Sequence, residues 1–137
     1  MSESFDPRGR LAVIPVILAG PAGVFEFRFA IDTAATRSSV SGLILSQLGY
    51  TEPPAADRLT VRTGSGATRA GLVSVGLLRA LGRTRTQHPV LWLPHPPGSL
   101  IDGLLGLDFF RGLVLELDFA RGRITLRKPG SRWRFWR

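Results

Sequence analysis

Turn-forming residues interrupt this chain every ~8–12 positions, and the runs between them are rich in Val, Ile, Leu, Thr and Phe; many short strands at that spacing point to a small all-β sandwich or barrel. The clearest element is the run Phe25 to Ile31, where Phe25, Phe27, Phe29 and Ile31 alternate with Glu26, Arg28 and Ala30. A period of two puts successive side chains on opposite faces, so the aromatics are expected on one buried face. Before it, Leu11-Ala-Val-Ile-Pro-Val-Ile-Leu-Ala19 reads as a first strand, turning at Gly20-Pro21-Ala22-Gly23. With Arg8 and Arg10 ahead of it, this run also has the outline of a short signal-peptide core, but its Val and Ile content favours the strand. Ser41 as N-cap and Gly49 as stop frame one short helix. Residues 59–63 and 71–78 flank a glycine-rich tip, Gly64-Ser65-Gly66, and read as a hairpin. A further strand covers 86–93, and 113–119 with 123–127 form a closing hairpin turning at Ala120-Arg121-Gly122.

Composition narrows the function classes. The 137 residues suit one domain, and the absence of Cys removes disulfides, thiolate zinc sites and cysteine nucleophiles. Two histidines, His88 and His95, argue against a His-rich metal site, and no metal or cofactor is expected. No apolar run approaches the ~18–20 residues of a membrane span; a cytoplasmic location is expected, with the periplasm as the lesser alternative. The formal charge of +8 is a property of the tail: seven of the eighteen bases lie in 121–137, which contains no acid, leaving eleven bases against ten acids in the first 120 residues. We therefore divide the chain into a domain over 1–128 and a basic, aromatic tail over 129–137. The tail's Trp133-Arg134-Phe135-Trp136-Arg137 has the make-up of an anionic-membrane or single-stranded nucleic-acid contact, or of a packed or solvated terminus.

The residues that carry chemistry begin at Asp32. Its carboxylate ends the Phe-rich strand and is followed by Thr33, Ala34, Ala35 and Thr36: two hydroxyls able to hydrogen-bond and two small residues that admit another backbone. Alone, this also reads as an Asx-turn capping a strand. The order of segments adds to it: strand and Asp-Thr-Ala-Ala-Thr, a Ser/Val-rich strand with a short helix, a glycine-tipped hairpin, then Leu104-Leu105-Gly106-Leu107-Asp108-Phe109 about seventy residues later.

This arrangement resembles the retropepsin-like aspartic proteases, the single-lobe relatives of pepsin, over roughly Leu11 to Lys128. The resemblance implies a closed β-barrel or sandwich with one short helix, working as a symmetric homodimer in which Asp32 meets its symmetry mate. Two adjacent carboxyls cannot both ionise cheaply and hold one proton between them. One then acts as base on a water while the other protonates the peptide carbonyl. The resemblance further implies that Thr33 bonds across the two-fold axis and that Ala34, Ala35 and Thr36 line the substrate backbone. Gly64, Ser65 and Gly66 would form a flap over an extended peptide, and Leu104, Leu105 and Gly106 an apolar strand beside the catalytic loop. Arg37 and Asp108 are expected as a supporting ion pair.

One position departs from the pattern. The family usually carries Gly where this chain has Ala34, and the methyl group there motivates the alternative of a weak or inactive dimerisation or peptide-binding module. Other motifs carry less. Thr63-Gly64-Ser65-Gly66-Ala67-Thr68 lacks the Gly-Lys-Ser/Thr ending of a phosphate loop. Ser38, Ser39 and Ser41 show no His-Asp partner pattern for a serine hydrolase, and both histidines read as structural or surface residues.

Overall fold

The structure, a computed structural model, describes residues 1–94 and 99–130. The expected contacts of the tail over 131–137 and the surroundings of His95 lie outside those residues.

The first long strand, β2 (Val13–Gly20), follows a short N-terminal strand β1 (Ser2–Ser4) and buries Ile14, Val16 and Leu18 completely on one face. The Val/Ile content that favoured a strand is thus used as strand, on a half-buried pleated surface. Pro15, which lacks a ladder N–H, stands where β2 pairs only with β3 (Gly23–Ile31); pairing to the other side starts at Ile17. Next come β4 (Ser39–Ser41), α1 (Gly42–Gln47), a 3-10 turn (Ala55–Asp57), β5 (Leu59–Thr63), β6 (Gly66–Ala80) and β7 (Arg83–Leu93). Then β8 (Gly103–Leu105), α2 (Leu107–Phe110), β9 (Val114–Asp118) and β10 (Arg123–Arg127) complete the order.

Six strands close on themselves in the order β2-β3-β8-β4-β7-β6, with β6 returning to β2, and β5 extends the sheet beyond β6. Closure removes the open edges that leave unpaired backbone donors. Two pairings are parallel, β3 with β8 and β4 with β7, and each joins segments far apart in the chain. A second, three-stranded sheet, β1-β10-β9, covers one side. The architecture is the all-β barrel expected from the punctuation of the sequence.

The core holds Ile14, Val16, Leu18, Phe29, Leu45, Leu78, Leu105 and Phe109, each with no accessible surface. Phe29 and Phe109 are the largest of these, and truncating Phe29 removes a ring from a closed barrel that cannot collapse around the void. Phe29→Ala is expected to lower unfolding free energy by about 3–5 kcal/mol, measured by urea titration.

Three local expectations are corrected. The Phe stripe is buried only at its C-terminal end: Phe29 is at 0 % exposure, its ring packed against Gly103 of β8, but Phe25 is at 49 %. The helix is framed as expected, with Gly49 at φ +93, but Ser41 caps it in position only; its hydroxyl makes no cap bond and has no partner. A second helical turn, α2, follows Gly106 where only one short helix was expected in the chain. The tight turn between β6 and β7 also had no sequence cue. Leu81 and Gly82 both have positive φ there (52° and 75°), the pattern of a type I′ turn, and Leu81 is held in it by burial.

Candidate active site

Asp32 follows the last residue of β3, and its position is set by backbone bonds before its side chain acts. Its N–H donates to the Leu105 carbonyl of β8 at 2.9 Å, so the parallel β3–β8 pairing aims the residue outward. The carboxylate Oδ1 accepts the Ala34 N–H at 3.0 Å, and the Ala35 N–H donates to the Asp32 carbonyl at 3.2 Å. The Asx-turn that caps the strand thus holds the carboxylate, half-buried, at a cleft.

The loop after Asp32 is braced from behind. Gly106 packs so closely that a Cβ there would meet the Ala35 and Arg37 carbonyl oxygens at 2.7 and 2.8 Å, contacts that only glycine avoids. The N–H groups of Leu107 and Asp108 donate to the carbonyls of Ala35 (2.8 Å) and Thr36 (3.2 Å). Asp108 then reaches back: its Oδ1 accepts both the Ser38 N–H (2.9 Å) and the Ser38 hydroxyl (2.7 Å), and its Oδ2 lies 3.2 Å from His88 Nε2. Ser38 Oγ in turn accepts the Gly106 N–H at 3.0 Å. Burial pushes the Asp108 carboxyl up, but the His88 and Ser38 hydrogen bonds outweigh it, and the group is held below the ordinary aspartate range.

This corrects the expected Arg37–Asp108 pair. Asp108 is engaged by Ser38 and His88, while Arg37 points its charge elsewhere: its side chain is exposed and lines the cleft. Ser38, Asp108 and His88 do come together, which the sequence did not suggest, yet not as a serine hydrolase. A serine nucleophile needs the imidazole on its own hydroxyl; here that hydroxyl donates to the carboxylate, and Ser38 is fully buried.

The cleft has a volume of ≈ 610 Å³. Of the residues singled out in the sequence, Asp32, Ala34, Ala35, Thr36, Arg37, Gly64 and Leu104 line it. Thr33 is exposed next to Asp32; Ser65 and Gly66 form the exposed end of the β5–β6 hairpin, whose register pairs Thr63 with Gly66. Leu105 is fully buried and serves through its carbonyl, and Gly106 through its missing side chain. Ala34 has no positive φ, so its methyl group adds bulk at the cleft without straining the backbone. Sequence reasoning missed the apolar wall of Leu59, Val61, Leu91 and Leu93, and it missed Arg62. The alternation of β5 marks Leu59 and Val61 as one face, but nothing local to β7 places Leu91 and Leu93 beside Asp32.

Among the described residues, no three or more His, Cys, Asp or Glu side chains gather as a metal site, and no helix is long and apolar enough to cross a membrane. The site is a carboxylate at the floor of a mostly apolar groove, under a glycine-tipped hairpin.

A family model described as aspartyl protease matches residues 14–109. The structure is similar to that of a retropepsin-like aspartic protease from Rickettsia conorii, with a TM-score of 0.58 at 16% identity, covering 93% of this chain and 90% of that one. It also matches a protein of unknown function from Legionella pneumophila, with a TM-score of 0.47 at 19% identity, covering 72% of this chain and 83% of that one. No curated protein matches the chain.

Proposed function

Since the chain belongs to the aspartyl protease family and has the retropepsin-like fold, we propose that it is an aspartic endopeptidase whose catalytic dyad is Asp32 from each of two copies. The observation that carries this reading is the half-buried Asp32 carboxylate, fixed by the Ala34 N–H and the β8 backbone at the floor of the cleft. The Asp-Thr motif occurs once at such a strand end, so a second carboxyl has to come from a partner related by a two-fold axis. One carboxylate takes a proton from water as it attacks the peptide carbonyl carbon. The protonated mate donates to the carbonyl oxygen, and the proton then passes to the leaving nitrogen as the C–N bond breaks. Thr33 would tie the two loops together at the axis. An extended peptide would add as a strand between the loop of Ala34 to Thr36 and the hairpin tip at Gly64 to Gly66, which closes over it. No cofactor enters these steps.

The test is a peptide library incubated with wild-type and Asp32→Asn protein at several pH values, with native mass measurement of the assembly. Cleavage best in acid, blocked by a statine-type transition-state mimic and absent in the variant, is the expected result.

Ala34 favours a second reading, a peptide-binding module without turnover. Its methyl group lies at the cleft, but the backbone conformation is open to any residue. Ala34→Gly is therefore expected to change kcat/KM by less than about tenfold, under roughly 1.4 kcal/mol. A variant that cleaves peptides while the wild type only binds them would establish the module.

A further inference from the structure

Apart from Asp32, the charged side chains lining the cleft are two arginines, Arg37 and Arg62. Several guanidinium groups elsewhere on the molecule have partners: Arg58 pairs with Glu52, Arg121 with Asp118 and Arg127 with Glu116, and Arg85 donates to the carbonyls of Phe109 and Arg111. Among the described residues, no carboxylate pairs with Arg37 or Arg62. Both side chains are exposed at a groove whose other lining is largely apolar.

We propose that the cleft selects peptides with an acidic side chain within about two residues of the scissile bond, and that Arg37 and Arg62 determine this specificity. The proposal rests on the protease reading above and names its substrate class.

Three features make these arginines more than surface charge. First, the root of Arg37 is fixed. Its carbonyl packs on Gly106, and the flanking residues Thr36 and Ser38 are bonded to Asp108. A charged side chain on a braced backbone loses less freedom when it captures a carboxylate, and guanidinium can do so with two parallel hydrogen bonds. Second, Arg62 stands opposite Ala67 near the tip of the β5–β6 hairpin, so closure of that hairpin would bring its charge down onto a bound chain. Third, low-dielectric apolar walls such as Leu59, Val61 and Leu104 focus the field of the two cations into the groove. In a symmetric dimer the arrangement is repeated on both sides of the scissile bond: four cations around two carboxyls. A substrate lysine placed there would be repelled, and a glutamine would gain no charge-assisted bond.

The pH dependence is a distinguishing consequence. A substrate glutamate loses its charge below about pH 4.3, so preference for it fades in acid while cleavage of a neutral peptide does not follow that loss. Raising ionic strength to ~1 M shortens the screening length to about 3 Å and compresses the preference as well.

The experiment uses the full chain and matched internally quenched peptides carrying Glu, Gln or Lys two residues from the scissile bond. With wild-type protein, kcat/KM is expected to be roughly three- to tenfold higher for Glu than for Gln, mainly through KM, and lower again for Lys. In Arg37→Gln/Arg62→Gln the Glu-to-Gln ratio falls to about one, and Arg37→Glu moves the preference toward Lys. A wild-type ratio of one, or a ratio unchanged in the double variant, overturns the proposal while leaving the protease reading in place. Binding of the same peptides to Asp32→Asn protein, by fluorescence anisotropy, separates the two ideas. Tighter binding of the Glu peptide with no cleavage by wild type upholds the charge selection and defeats the protease reading; equal binding of Glu and Gln peptides defeats the charge selection directly.

Discussion

Asp32→Asn is expected to abolish peptide cleavage, lowering kcat/KM by roughly 10³-fold or more, because it removes base and acid together from both copies of a homodimer. The substitution isolates the chemistry well. Asparagine keeps the size of the side chain, and its amide oxygen can still accept the Ala34 N–H that Oδ1 accepts at 3.0 Å. The backbone bond from the Asp32 N–H to Leu105 is untouched. Thermal stability, assembly mass and peptide affinity should therefore stay close to wild type while turnover disappears. An Asp32→Asn protein that cleaves within tenfold of wild type would show that this carboxyl does no chemistry.

Asp108→Ala is expected to lower stability by about 2–4 kcal/mol at neutral pH, read by denaturant titration, because it strips partners from the Ser38 N–H, the Ser38 hydroxyl and His88. The sign of its pH dependence follows from the direction of the shift. The folded protein holds the Asp108 carboxyl below its unfolded value, with the His88 and Ser38 bonds overcoming the effect of burial. A depressed carboxyl contributes stability that is present above the unfolded value, about pH 4, and is lost as pH falls through the folded one. The gap between wild type and Asp108→Ala should therefore be widest near neutrality and narrow below pH 4. Activity should fall with stability, since the brace under Ala35, Thr36 and Ser38 sets the loop that carries Asp32. Equal melting of the two proteins at pH 7 would show that the brace does not hold that loop.

Much of this protein is legible without coordinates. Alternation in 25–31 marks a strand, turn residues mark the hairpin at Gly64-Ser65 and the closing turn before Arg123, and Gly49 ends a helix in the left-handed region. These signals are local: they depend on backbone propensity and on side chains within a few residues of each other. A carboxylate with small and hydroxyl-bearing neighbours at a strand end is local too, which is why Asp32 and its loop stand out from the chain alone.

What tertiary structure decided is who meets whom across the barrel. Phe25 and Phe29 belong to the same alternating face, yet one is exposed and the other sealed, its ring packed against Gly103 of β8, some seventy residues later. Arg37 and Asp108 are of opposite charge and looked like partners; closure instead placed His88 and Ser38 on the carboxylate and left Arg37 on the cleft. Local patterning can specify strands, turns and a reactive loop, but a contact between distant segments depends on strand order and register, and those are settled only when the whole sheet closes on its core.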